Sequence, residues 1–297
     1  MFLNKLFFVL LVGGVSLFVT SCGLDQKGMV LFLDPSYQVT VVGTEKDGFT
    51  VPDGILWREG HLYIADEGGS AFRIWSGAGR VITMGDAGHG ILSPEDIAVD
   101  SQGNTFFTDD DRGGVWKVNN LGGIKQLATK EQGMLSTEGI VLAPDGNLLV
   151  GDGETHTIFQ VTADGEVSVY LGPEYGIGKP ESMAFDTHGN LFIADNDAGV
   201  VYLLTPDKVL HRLLKDREDF SPETIWFSNG ALYITDSEHG KLFRYTPADD
   251  LEPIAVFGGK LSNVHGVTTD ETGAIYVSVQ SDLKEKKGYI LKIERGR

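Results

Sequence analysis

The chain has 297 residues, 41% of them hydrophobic, 39 glycines, a single cysteine and a formal net charge of −18. That charge excludes nucleic acid and anionic surfaces as electrostatic partners, since both need clustered Lys and Arg. One cysteine excludes disulfides and thiolate metal sites from the folded part, and the apolar content is ample for a globular core.

In chain order, the first element is a targeting segment. Lys5 is followed by an apolar stretch from Leu6 to Val19 and then by Thr20, Ser21 and Cys22. This reads as a secretory leader, too short to span a bilayer as a helix. Val19-Thr20-Ser21-Cys22 resembles a bacterial lipobox, which implies cleavage before Cys22 and a lipid on its sulfur. The expectation is therefore a lipoprotein exported to the cell envelope, with residues 1–21 as signal peptide, 22–36 as a lipidated tether, and the membrane as a partner through lipid on Cys22.

From residue 37 onward the chain is repetitive. A short phrase recurs six times: Pro52-Asp53-Gly54-Ile55, Pro94-Glu95-Asp96-Ile97, Thr137-Glu138-Gly139-Ile140, Pro180-Glu181-Ser182-Met183, Pro222-Glu223-Thr224-Ile225 and Val264-His265-Gly266-Val267. Its second residues are spaced by 42, 43, 43, 42 and 42. Each phrase opens an apolar run, crosses a turn such as Asp145-Gly146, and enters a second run such as Leu191-Phe-Ile-Ala-Asp195. A period of about 40–45 residues holding four strand-like runs is the signature of a propeller blade. The fold class is thus all-β, a six-bladed β-propeller over residues 37–297. The last repeat lacks its fourth run, and Tyr37-Gln-Val-Thr-Val-Val-Gly43 is a spare fourth run at the other end. Pairing the two closes the ring and hides both strand edges. The Trp and Phe residues of the outer strands are expected to pack between blades.

The second residue of each phrase stands at the mouth of an innermost strand, so Asp53, Glu95, Glu138, Glu181, Glu223 and His265 form a ring around one end of the channel. Glu67, Asp110, Asp111, Asp197 and Glu238 lie on the same face, with His156 and His239. His61 and His188 fall in turns of the opposite face. The repeated Asp ending each second run reads as a turn-capping residue. Carboxylates crowded at a mouth repel one another, so they hold protons or a cation. An oxygen-rich cage suits one divalent cation, Ca²⁺ first, with Mg²⁺ and Mn²⁺ as alternatives and Zn²⁺ if His265 takes part.

The stretch Pro52-Asp-Gly-Ile-Leu-Trp-Arg-Glu-Gly-His-Leu-Tyr-Ile-Ala-Asp66 with Phe72-Arg-Ile-Trp75 resembles the SMP-30/gluconolactonase-like and NHL-type six-bladed propellers. The resemblance covers essentially all of the chain from Asp53. It implies metal ligands at Asp53, Glu181 and Glu223 and a substrate contact at Glu138. The chain departs from the lactonase pattern at Asp53, which replaces Glu; at Glu138 and Glu181, which replace Asn; and at Glu223, which replaces Asp.

Two functions follow. The first is a divalent-metal-dependent hydrolase of a lactone or ester, with Glu223 or His265 as general base and Glu95, Glu138, His156 and His239 as substrate contacts. A lyase using His265 with His156 or His239 is its variant. The second is a non-catalytic lipoprotein that binds a ligand or protein on its acidic face. A monomer with a small molecule at the acidic mouth, and no nucleic acid, is expected either way. No Gly-rich phosphate loop, Gly-x-Ser-x-Gly elbow or His-Glu-x-x-His motif supports another enzyme class.

Overall fold

The structure, a computed structural model, describes residues 7–12, 15–20, 28–76, 81–215, 219–282 and 287–296. Cys22 lies outside them. Four-stranded antiparallel sheets repeat in order around an axis, and the phrase with the ring residue begins the innermost strand of each. Blade one is Pro52–Arg58, His61–Asp66, Ala71–Trp75 and Val81–Gly85; blade two is Pro94–Val99, Thr105–Asp109, Gly114–Val118 and Ile124–Ala128. Blade three is Thr137–Leu142, Leu148–Asp152, Thr157–Val161 and Val167–Leu171; blade four is Pro180–Phe185, Leu191–Asp195, Val200–Leu204 and Leu210–Leu214. Blade five is Pro222–Ser228, Ala231–Asp236, Lys241–Thr246 and Asp250–Gly259. Blade six is Val264–Thr269, Ile275–Asp282 and Lys287–Arg295, completed by Tyr37–Thr44. Val39 pairs with Ile293 and Val41 with Leu291, so the two ends of the chain close the ring as expected.

Within the segment read as a tether, Gly28–Phe32 is a strand on the outer edge of blade five, with Val30 opposite Phe257 and Phe32 opposite Ala255. Val15–Thr20 and Phe7–Val12 follow it in the same sheet. The physical reason lies in blade five. Its fourth strand is ten residues long and offers an unpaired edge, and Val30 and Phe32 bury against Leu242 and Ile254 in covering it.

The second strands Thr105–Asp109, Leu148–Asp152 and Leu191–Asp195 are buried at every position, because neighbouring blades cover both faces. This explains their continuous apolar runs where a half-exposed strand would alternate. Aromatic rings fill the wedges between blades: Phe72 stacks on Phe107 with centroids 4.9 Å apart, as expected for the outer strands, and Trp57 of the innermost strand stacks on Tyr276 at 4.8 Å. Near the axis the blades approach so closely that a Cβ on Gly139 would lie 2.7 Å from the Ser182 Cα and 2.8 Å from the Glu181 carbonyl oxygen. Gly is required there by the neighbour's backbone rather than by the turn.

Candidate functional site

The Asp that ends each second strand sets the mouth. Asp66, Asp109, Asp152, Asp195 and Asp236 are all fully buried. Asp109 accepts hydrogen bonds from the Leu92 and Ser93 amides at 3.1 and 2.9 Å, and Asp152 from those of Leu135 and Ser136 at 2.6 and 3.0 Å. Asp195 accepts from Gly178 and Lys179 at 2.7 and 3.0 Å. Each carboxylate thus fixes the two residues leading into a phrase, which confirms the capping role. The residue fixed in this way lies two positions before a ring residue, and so on the same face of the strand. Its side chain then reaches the ring. Ser93 Oγ donates to Glu95 at 3.2 Å, and Ser136 Oγ to Glu138 at 3.1 Å. Lys179 Nζ lies 3.0 Å from Glu181. In blade six, where Val279 replaces the capping Asp, Asn263 Oδ1 still accepts from His265 Nε2 at 3.2 Å.

The residue after the capping position supplies a second tier: Glu67, Asp110, Asn196, Ser237 and Gln280. With the six ring residues, Lys179, Ser221 and Glu238 they line one open cavity of about 320 Å³. All six ring positions therefore converge. Asp111 does not line this cavity, and Asp197 lines its neighbour. His156 and His239 stay outside it. The His156 ring is committed to the Gly178 carbonyl, and His239 to the Asp236 carboxylate at 2.9 Å. His61 is exposed and bonded to the Glu59 carbonyl in its turn. On the axis behind the ring runs an apolar channel of about 270 Å³, into which Asp96 and Ser182 also project.

The ring divides into two clamps and one isolated acid. His265 Nδ1 lies 3.1 Å from Asp53 Oδ2 and 3.4 Å from Glu223 Oε1. Its other nitrogen, Nε2, is on Asn263, whereas Nδ1 is buried between the two carboxylates at ion-pair distance without an aligned hydrogen bond. Burial works against a charge on this ring, but Asp53 and then Glu223 override it and raise the His265 pKa well above its ordinary value. Burial would likewise push Glu223 up; the adjacent His265 and its charge, with the Ser237 hydroxyl at 2.6 Å, instead hold it at about 2. Gln280 Nε2 joins the tiers, donating to Asp53 at 2.6 Å and Glu67 at 3.1 Å.

In the second clamp Lys179 Nζ sits 3.2 Å from Glu138 and 3.0 Å from Glu181. Burial raises Glu138 to about 7 against the opposing charge of Lys179. Burial and the charges of Glu223 and Glu138 raise Glu181 well above the carboxylate range, again against Lys179. Glu95 has no cation. Burial, then the charges of Asp53, Glu67 and Glu138, raise it well above the ordinary carboxylate value, favouring its protonated form.

This arrangement bears on the expected cation. Among the described residues no three His, Cys, Asp or Glu side chains converge as ligands of one metal ion. Of the three implied ligands, Asp53 and Glu223 close on His265, and Glu181 closes on Lys179. The residues as arranged do not fit a divalent-cation cage. Lys179, Asn196, Ser221, Ser237 and Gln280 are the site residues that sequence reasoning missed. A signal for Lys179 was present: the residue before each phrase is Val51, Ser93, Ser136, Lys179, Ser221 or Asn263, and only one of the six is charged.

No family model matches the chain, and no curated protein matches it by sequence. Solved structures do. A streptogramin B lyase superposes with a TM-score of 0.69 at 16% identity, covering 88% of this chain and 98% of the other. Virginiamycin B lyase from Staphylococcus aureus gives 0.66 at 17%, covering 86% and 98%. A gluconolactonase from Xanthomonas campestris gives 0.66 at 15%, covering 90% of each. At these identities the likeness is one of architecture: the chain shares the six-bladed β-propeller fold of gluconolactonases and streptogramin-type lyases.

Proposed function

We propose that the mouth is the active site of an acid–base enzyme that opens a small polar ester, a lactone being the first candidate. The observation that carries this reading is the pair of clamps. Asp53 and Glu223 on His265, and Glu138 and Glu181 on Lys179, face a single cavity together with the unclamped acid Glu95. Glu138, near 7, is matched to take a proton at neutral pH from a water whose oxygen bonds to the ester carbonyl carbon as the acyl–alkoxy bond breaks. Glu95, whose protonated form burial and the neighbouring acids favour, is placed to give one to the leaving alkoxide oxygen. The His265 imidazolium and the Lys179 ammonium supply fixed positive charge for a developing oxyanion. His265 is thereby a donor rather than the base, and Glu223 keeps it charged. The divalent cation implied by resemblance has no step here, because its expected ligands are held on His265 and Lys179.

The shared fold with a gluconolactonase supports an ester substrate. Elimination is the second reading, favoured by the buried ring histidine: a catalytically inactive histidine-to-alanine variant of virginiamycin B lyase is also among the matching structures. Export as a monomeric lipoprotein of the cell envelope, anchored through Cys22, belongs to the same proposal and rests on the Val19-Thr20-Ser21-Cys22 phrase. Incorporation of labelled fatty acid, lost in Cys22→Ser, is its test.

The functional test is a pH-stat assay of a lactone and ester panel with chelator present. Turnover with a rising limb near pH 7, reduced about 100-fold or more in Glu138→Gln, is the expected result. Absence of turnover on every member, with saturable binding of one of them at the mouth, would establish a binding module instead.

A further inference from the structure

Lys179 occupies a niche that the rest of the fold leaves open for it. Five of the six second-tier positions carry polar side chains, and the sixth, in blade three, is Gly153. A Cβ on Gly153 would lie 3.0 Å from Lys179 Cγ, 3.1 Å from its Cε and 3.1 Å from Glu138 Oε1. The lysine stem therefore runs through the gap where a second-tier side chain would stand. At its base the Lys179 amide is fixed on Asp195, and Pro180 follows directly. At its tip the ammonium bridges Glu138 and Glu181, with the side chain two-thirds buried.

We propose that Lys179 is a built-in cation, seated in the Gly153 niche between Glu138 and Glu181, where it occupies one of the expected metal ligands as His265 occupies the other two, so that this mouth works metal-free. An ammonium has three donors, and two face carboxylates here. The third is then available to a carbonyl or carboxylate oxygen of a ligand in the cavity. That last role rests on the reading of the mouth as an active site, whereas the exclusion of metal does not.

The test is thermal melting of the purified full-length chain in Ca²⁺, Mg²⁺, Mn²⁺ or Zn²⁺ against chelator, with calorimetric titration of the same ions. The native chain is expected to show no shift. Lys179→Met frees the two carboxylates, and one cation should then raise the melting point by about 5–10 °C at a hundredfold excess over its dissociation constant. Lys179→Arg keeps the charge and should behave as native. If Lys179→Met does not fold, Gly153→Val fills the niche, expels the ammonium and carries the same expectation. Stoichiometric binding of a divalent cation by the native chain overturns the proposal, and so does a vacated clamp that takes no cation. Failure of every lactone in the activity assay leaves these readings unchanged, so the two claims fail separately.

Discussion

Replacing His265 by glutamine removes the cation between Asp53 and Glu223 while keeping a polar group of similar reach. The three side chains are 14%, 14% and 9% exposed, so water screens little of the loss. Glu223 stands at about 2 against an ordinary 4.5. At about 1.36 kcal/mol per unit that is roughly 3 kcal/mol of stability. Removing one partner of a buried ion pair costs about 3–5 kcal/mol in general. Both figures describe the same interaction and are not summed. For a domain of this size the lower figure corresponds to a fall of about 6–12 °C in melting temperature. The pH dependence follows from the two directions. Glu223 is lowered, so its contribution is present above about 4.5 and is lost as the pH falls towards 2. His265 is raised, so its contribution is complete below about 6.5 and is lost as the pH rises through its folded value. The gap between native and His265→Gln melts should be widest between about pH 4.5 and 6.5. Melts followed by circular dichroism from pH 3 to 9 measure it. Equal melting temperatures at pH 5.5, or a gap that grows steadily above pH 8, would refute the clamp.

Three further substitutions test other links. Burial raises Asp96 to about 7 despite hydrogen bonds from the Ile140 and Ile97 amides, so its charge opposes folding progressively above its ordinary 3.8. Asp96→Asn removes the charge but leaves one of the two amides without an acceptor at every pH, so its stability relative to the native chain, read from thermal melts, should be better at pH 8 than at pH 4 by about 2–4 kcal/mol. Asp195→Ala strands the amides of Gly178, Lys179 and Ala198, at a cost of about 3–5 kcal/mol in urea denaturation. Gly139→Ala drives a methyl group into the Ser182 and Glu181 backbone and should cost about 1–3 kcal/mol by the same assay.

The architecture was legible because it is periodic. A repeat of 42 or 43 residues fixes blade number, and the spare run at Tyr37–Gly43 fixes how the ring closes. Ring membership followed from the same period, since equivalent residues occupy equivalent places. The state of the ring did not follow. Whether five acids gather around a metal or around lysine and histidine depends on side chains that the repeat does not treat as equivalent. Lys179 stands where the other copies have serine, asparagine or valine, and Gly153 replaces a polar residue in the preceding blade. Only superposing the six copies in space brings these two exceptions together. His156 and His239 were misplaced for the opposite reason. They lie on the correct face, but a backbone carbonyl and a capping aspartate hold them aside. The strand at Gly28–Phe32 escaped notice because the exposed edge that it covers belongs to a strand more than two hundred residues away.

The most direct test of a mouth compensated by its own cations is an NMR titration of the histidine ring nitrogens, with the His265 signal assigned from its absence in His265→Gln. Seven histidines are present. His265 should stay doubly protonated past its ordinary 6.5, with no midpoint there. A His265 signal that titrates near 6.5 would mean that no fixed charge stands between Asp53 and Glu223, and the acid–base account of the site would fall with it.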